Sequence, residues 1–126
     1  MFSEDLEKSA FRATNGEYGW TRDQIPEVVA TLATHECAIL GGELWWVRDG
    51  STSWDGLIPQ RKGPDAVYSW NTNRLPAESW GDFVNRGAAE AIDAAQHLPR
   101  KDDLPAGLPG RILYNLTWVS REESDR

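Results

Sequence analysis

Eight apolar or small residues between Trp80 and Ala95 fall on one helical stripe: Trp80, Phe83, Val84, Gly87, Ala88, Ala91, Ile92 and Ala95. The i, i+3, i+4, i+7 spacing predicts a helix of about four turns, with Asp82, Arg86, Glu90, Asp93 and His97 falling away from the stripe. A helix this one-sided has to bury its stripe against another layer. Gly87, Ala88 and Ala91 are small, so that layer, expected to be a sheet, comes close. Glu90 lies off the stripe and is expected to matter little to stability. Pro76 can stand at the helix start and Pro99 ends it.

The rest of the chain supplies the layers. Residues 3–14 read as a first helix with Ser3 as cap, Glu4 and Asp5 in its first turn and Asn15-Gly16 as its stop. A second helix starts at Thr21 or Asp23, with Asp23 favoured as its cap because Pro26 fits only in a first turn. Ile25, Val28, Val29 and Leu32 carry that helix to about Thr34. Cys37–Leu40 reads as a strand entering the core, Gly41-Gly42 interrupts it, and Glu43–Arg48 resumes it. Asp49–Asp65 is loop-like, Ala66–Trp70 a short strand, and Asn71-Thr72-Asn73 turn chemistry. Arg100–Gly110 is a Pro/Gly-rich connection. Ile112–Val119 alternates as a strand, with Ile112, Tyr114, Leu116 and Trp118 on one side and Leu113, Asn115, Thr117 and Val119 on the other. Apolar residues on both sides suggest a place inside the sheet, with one face partly polar. Arg121–Arg126 reads as a frayed tail.

The predicted order is α-α-β-β-β-α-β. Helices and strands come in blocks, which argues for an α+β domain with a mostly antiparallel sheet of three to five strands packed against helices. A length of 126 residues suits one domain spanning residues 1–126.

Charge narrows the function. The chain carries 20 acids and 13 bases, a net charge of −7. Residues 1–47 hold eight acids and three bases, net −5, and residues 76–126 hold nine and six, net −3. Residues 48–75, with three acids and four bases, stand at +1. Nucleic-acid binding needs clustered Lys and Arg, so no nucleic-acid partner is expected. No apolar run is long enough to cross a bilayer, so no membrane partner is expected. Met1–Lys8, with three acids and one Lys, lacks the pattern of a secretory leader, and Cys37 is the single cysteine. A cytoplasmic protein is expected. Excess acid either serves solubility or steers a basic partner.

The chemical signals are weak. His35-Glu36-Cys37 cannot place enough ligands on one side of a strand for zinc, so no metal is expected. Cys37 reads as a small buried hydrophobe rather than a nucleophile. No spacing selects catalytic residues, and no cofactor is implied. Gly41-Gly42-Glu43 either re-aims the strand as a bulge or aims Glu43 at a partner. Tyr68-Ser-Trp70-Asn71-Thr-Asn73-Arg74 mixes aromatics, amides and a cation, as sugar sites and protein hot spots both do. Seven Trp residues (20, 45, 46, 54, 70, 80 and 118) serve either a core or an aromatic surface patch.

Ala38-Ile39-Leu40-Gly41-Gly42-Glu43-Leu44-Trp45 resembles the apolar-Gly-Gly-acid-apolar-aromatic strand of a family of small bacterial polymorphic-toxin immunity proteins. Tyr68-Ser-Trp70 is similar to that family's aromatic-x-Trp strand. Phe83-Val84-Asn85-Arg86 lies in its amphipathic helix, and Ile112–Val119 matches its closing strand. The Trp20 region and second helix agree, so the resemblance runs from Tyr18 to Ser120. Glu43 stands where the family pattern has aspartate, and Leu57–Gly63 and Arg100–Gly110 are longer than its usual connections. The resemblance implies a non-enzymatic, cytosolic protein that binds and neutralises a cognate toxin.

Combining residues and resemblance, the expected partner is a basic protein toxin whose active site this chain occludes. Acidic side chains would supply encounter rate, and aromatics the lasting contact. Glu43, Asp49, Trp54, Tyr68, Trp70 and Asn71 are the candidate partner-binding residues. The alternatives are a small-molecule or glycan-binding module built on the aromatic segment, and an uncharacterised enzyme.

Overall fold

The apolar stripe of residues 80–95 is the buried side of helix α3 (Trp80–His97), where Trp80, Phe83, Val84, Gly87, Ala91 and Ala95 are all buried. The computed structural model describes residues 1–49, 69–97 and 110–125. Within them the order is α1 (Glu4–Ser9), β1 (Phe11–Arg12), β2 (Tyr18–Gly19), a 3₁₀ turn (Arg22–Gln24), α2 (Ile25–Thr34), β3 (Ala38–Val47), β4 (Ser69–Asn71), α3, β5 (Arg111–Val119) and α4 (Arg121–Ser124). The fold is α+β, with one antiparallel sheet in the order β4-β3-β5 and an antiparallel β1-β2 hairpin.

Several local expectations are corrected. The first helix stops at Ser9 instead of running to residue 14, and Phe11 and Arg12 turn into the hairpin. Ser3 does cap it, its Oγ accepting from Leu6 N at 3.2 Å. Asn15-Gly16 is not a helix stop but a hairpin loop. Gly16 N donates to Ala13 O at 2.9 Å, and Gly16 then takes φ +88°. That is a three-residue hairpin connection with its left-handed glycine. The start of the second helix belongs to Thr21 rather than Asp23. Gln24 Oε1 reaches back to accept from Thr21 N at 3.0 Å, and Pro26 follows in the first turn of α2.

Helix α2 ends without glycine. Glu36 adopts φ +55°, Glu36 N donates to Ala33 O at 3.0 Å and Cys37 N donates to Leu32 O at 2.9 Å. This is the Schellman closure, with a glutamate in the usual glycine position. It turns the chain straight into β3 and leaves Cys37 buried beneath the turn.

The two apolar runs on either side of Gly41-Gly42 form one strand, β3, which is the centre of the sheet. Its pairing with β5 shifts register between Ile39 and Gly41, so the bulge falls at Leu40, just before the two glycines, which are themselves paired. Strand β5, expected inside the sheet, lies at its flank. The outer edge of β5 is met at one point, where Trp20 and Tyr114 exchange backbone hydrogen bonds of 3.0 and 2.7 Å. The expected strand over residues 66–70 is described from Ser69 and extends to Asn71, which pairs with Gly41 instead of standing in a turn. The predicted frayed tail forms α4, capped by Ser120, whose Oγ accepts from Glu123 N at 3.2 Å. The expected stop at Pro99 and most of the connection over residues 100–110 lie outside the described residues.

The sheet has two differently covered faces. On one, Ile39, Leu44 and Trp46 of β3 and Ile112, Tyr114 and Leu116 of β5 pack with Val28 and Leu32 of α2 and Ala91 and Ala95 of α3. On the other, Trp45, Val47 and Leu113 pack with Phe11 and Ala13 of the hairpin. The hairpin is short, so it covers only the half of this face beside Trp45 and Val47.

A polar clamp fixes the approach of β4 to α3. Arg86 donates to both carboxylate oxygens of Glu78 at 2.8 Å, to Asn73 O at 2.5 Å and to Glu90 Oε1 at 3.3 Å. The hydroxyl of buried Thr72 donates to Glu90 Oε2. Glu90 is therefore not dispensable, because removing it would leave the Thr72 hydroxyl without its partner. The Arg86 fork holds the Glu78 carboxyl down at about 2, against an ordinary 4.5. A carboxyl lowered on folding stabilises the native state fully above its unfolded value, and that contribution is lost as pH falls through the folded value. Melting temperature is therefore expected to fall between about pH 4.5 and 2. Glu78→Gln should flatten this part of the profile. An unchanged acid limb in the variant would show that the clamp does not couple to folding.

Candidate functional site

Where the hairpin stops, the described residues leave the sheet face uncovered. A cavity of about 370 Å³ lies there, lined by Glu17, Gly41, Gly42, Glu43, Ser69, Trp70, Asn71, Asn115 and Thr117, with Leu40 at its edge. Strand register assembles it. Gly41 pairs with Asn71 and Thr117, and Glu43 pairs with Ser69 and Asn115. Residues directly opposite across antiparallel strands share a face. Glu43 also lies two residues before Trp45, and Asn115 two after Leu113, on the face that the hairpin partly covers.

The glycines let β4 and Trp70 come close to the central strand beside this cavity. Gly41 has φ +148°, and a Cβ there would stand 2.1 Å from Trp70 O. No other residue fits that position without moving β4. Gly42 faces the helices, and a Cβ on it would meet the Trp70 ring at 2.5 Å. The indole of Trp70 is thus packed behind the strand, half-buried against the main core, while its backbone lines the cavity. Its Nε1 is buried and has no hydrogen-bond partner among the described residues.

The polar groups on the lining are held in place. Trp45 Nε1 donates to Glu43 Oε1 at 2.8 Å, so a fully buried indole orients the carboxylate. Asn15 Nδ2 donates to Glu17 Oε2 at 2.7 Å and Asn15 Oδ1 accepts from Glu17 N at 3.0 Å, which fixes the hairpin tip. Asn115 is 4% exposed, and its Nδ2 donates to Tyr18 O at 2.9 Å. Two carboxylates face the cavity, and no Lys or Arg stands on its described lining.

The structure brings together three of the sequence-predicted residues, Glu43, Trp70 and Asn71. Glu43 lies mid-strand, on the face that the hairpin covers only in part. Asp49 is exposed two residues beyond the end of β3, up to ~20 Å from Glu43 at the rise of an extended chain. Trp54 and Tyr68 lie outside the described residues. The expected aromatic patch loses Trp45 and Trp46, which are buried.

Glu17, Asn115 and Thr117 are the lining residues that sequence reasoning missed. Asn115 and Thr117 had a signal, as polar residues alternating with Leu113 and Val119 on one side of the last strand. Glu17 had one too, since Asn15-Gly16 between short apolar segments is also a hairpin signature.

The remaining chemical candidates read as structural. Cys37 is 8% exposed, its Sγ directed at His35 O at 3.7 Å. Burial, with the charge of Glu123 adding to it, pushes its thiol pKa up, which disfavours the thiolate a nucleophile needs. Cys37→Ser is expected to cost about 1–3 kcal/mol by burying a more polar group, with partner binding intact in the folded fraction. Lost binding at an unchanged melting temperature would contradict this. Among the described residues, no three or more His, Cys, Asp or Glu side chains are grouped to hold a metal ion, and no helix is long and apolar enough to cross a membrane.

Over residues 6–105 the chain matches the family described as Immunity protein 40. The chain belongs to that family. The matched stretch runs from α1 past the end of α3 and takes in Glu17, Gly41, Gly42, Glu43 and β4 of the cavity, while Asn115 and Thr117 on β5 lie beyond it. No curated protein and no solved structure matches the chain significantly. Membership in an immunity family agrees with the resemblance drawn from Ala38–Trp45 and its companion motifs.

Proposed function

We propose that this protein binds a cognate toxin domain and neutralises it by occlusion, working by stoichiometric binding without catalysis, in the cytoplasm of the cell that makes the toxin. Membership in the Immunity protein 40 family over residues 6–105 is the observation that carries this reading. The open half of the sheet supports it. It is a concave, polar surface on rigid strands, with carboxylates already oriented, so little ordering remains to be done on binding. A net charge of −7 favours a basic partner through long-range attraction.

In this reading Glu43 and Asn71 contact the toxin directly, and Trp70 backs the strand that presents them. Asp49, Trp54 and Tyr68 are assigned to a second contact region over residues 48–68. The test is co-expression with the toxin domain encoded by the adjacent gene. Rescued growth and a co-purifying complex are expected, with an association rate that falls steeply as salt rises while dissociation changes little. Growth arrest despite folded, abundant protein would reject the reading. A salt-independent association rate would remove its electrostatic part.

A further inference from the structure

We infer that the cavity beside Gly41 and Gly42 receives an arginine side chain of the protein partner. The inference rests on the proposed function and names the chemistry of the contact. Its basis is the set of groups that converge on the cavity. Glu43 uses Oε1 for the Trp45 indole, and Glu17 uses Oε2 for Asn15, so each carboxylate keeps one oxygen without a partner among the described residues.

Asn115 provides the independent observation. Its amide orientation is fixed, because the Tyr18 carbonyl it meets at 2.9 Å can only accept and must therefore face Nδ2. This leaves Oδ1 as the accepting end of an almost fully buried side chain on the cavity lining, with no donor among the described residues. An acceptor held in this orientation on the cavity lining favours a ligand that supplies an N–H. Two anionic acceptors and one neutral acceptor therefore surround a space with no cationic side chain on its described lining. An anionic ligand would be repelled there. A guanidinium fits, because it is planar, permanently charged, and carries five donors able to serve several acceptors at once.

Two measurements test the proposal. In the first, isotope-labelled protein is titrated with N-acetyl-arginine methylamide and with the neutral isostere N-acetyl-citrulline methylamide, followed by amide NMR. The expected result is saturable shifts at the Asn115 side chain and the Gly41 and Gly42 amides with the arginine compound only. Glu17→Gln/Glu43→Gln should abolish them. Both substitutions retain an oxygen that can accept from Asn15 or Trp45, so the fold is expected to persist with an unchanged melting temperature. Equal shifts with the citrulline compound, or no shifts at these positions, would overturn the proposal.

In the second measurement, the adjacent gene's toxin domain is bound to wild-type and double-variant protein. A loss of at least ~10-fold in affinity is expected for the variant, as for truncation of a buried interfacial charge pair. If the wild type binds and the variant binds equally well, the cavity proposal fails and the toxin-binding reading stands. If the wild type does not bind the toxin, that reading fails, and the arginine titration alone decides whether the cavity accepts a guanidinium.

Discussion

Gly87→Ala is expected to lower stability by roughly 1–2 kcal/mol, although alanine is the better helix former. Gly87 lies mid-way along α3 and faces β3. A Cβ at this position would stand 2.7 Å from Ile39 O and 3.3 Å from Ile39 N. Both atoms belong to the backbone of the central strand, so no side chain can swing aside to make room. The intrinsic gain of alanine over glycine in a helix interior is about 1 kcal/mol. Forcing an extra carbon into a packed interface costs typically about 1–3 kcal/mol, and a contact with fixed backbone belongs at the upper end of that range. The same substitution at Gly81 should have the opposite sign, because a Cβ there meets nothing within 4 Å. Gly81→Ala is expected to stabilise by about 0.5–1 kcal/mol. Chemical denaturation of the two variants reads the difference directly. Equal effects would mean that α3 does not sit against Ile39 at this distance.

Trp45→Ala is expected to cost about 3–5 kcal/mol, the range for truncating a large buried aromatic. Trp45 is fully buried, packs edge-on against Phe11 at 6.2 Å between ring centroids, and fills the space under the hairpin with Val47 and Leu113. Domains of this kind are stable by only about 5–15 kcal/mol in total, so the loss should leave little folded protein at physiological temperature. Trp45→Phe keeps most of the packing and removes the Nε1 donor to Glu43. This variant should fold with a reduced melting temperature and bind the toxin more weakly than its stability loss explains, because Glu43 is no longer oriented. Full toxin affinity in folded Trp45→Phe protein would show that the indole serves packing alone.

The elements legible in the sequence are those whose determinants are local or strongly periodic. Helix α3 is written in a stripe that repeats every three to four residues, and the buried positions follow it. Strand β5 alternates apolar and polar residues, and Ile25, Val28, Val29 and Leu32 mark the buried side of α2. The α+β class follows from these blocks. The apolar-Gly-Gly-acid strand carries the family resemblance, because its unusual composition is needed where two neighbouring strands crowd the backbone.

Other features became visible only once distant segments met. Phe11 and Arg12 could have continued α1, since nothing local forbids it. They turn into a hairpin because Phe11 finds Trp45 and Leu113 to cover. The seven tryptophans could not be divided between core and surface by composition, because burial depends on what lies opposite each ring. Trp45 and Trp46 are neighbours in sequence, and both are buried because both faces of β3 are covered at that point. Glu90 occupies a solvent-side position on its helix, but Thr72 and Arg86 come to it from the β4–α3 connection and along the helix.

The candidate site shows the same division. Glu43 and Asn71 stood out by composition and local pattern. Their meeting with Asn115 rests on antiparallel register and that with Glu17 on where the hairpin packs, which joins residues up to 98 positions apart (Glu17 to Asn115) around one cavity. The sequence by itself determined the α+β class, the buried stripe of α3 and the family signature, because each is carried by short-range spacing. Only the tertiary structure decided which half of the sheet the described residues leave uncovered. That depends on how far the short β1-β2 hairpin reaches across β3, and a length and an angle of approach are not encoded in any local pattern of side chains.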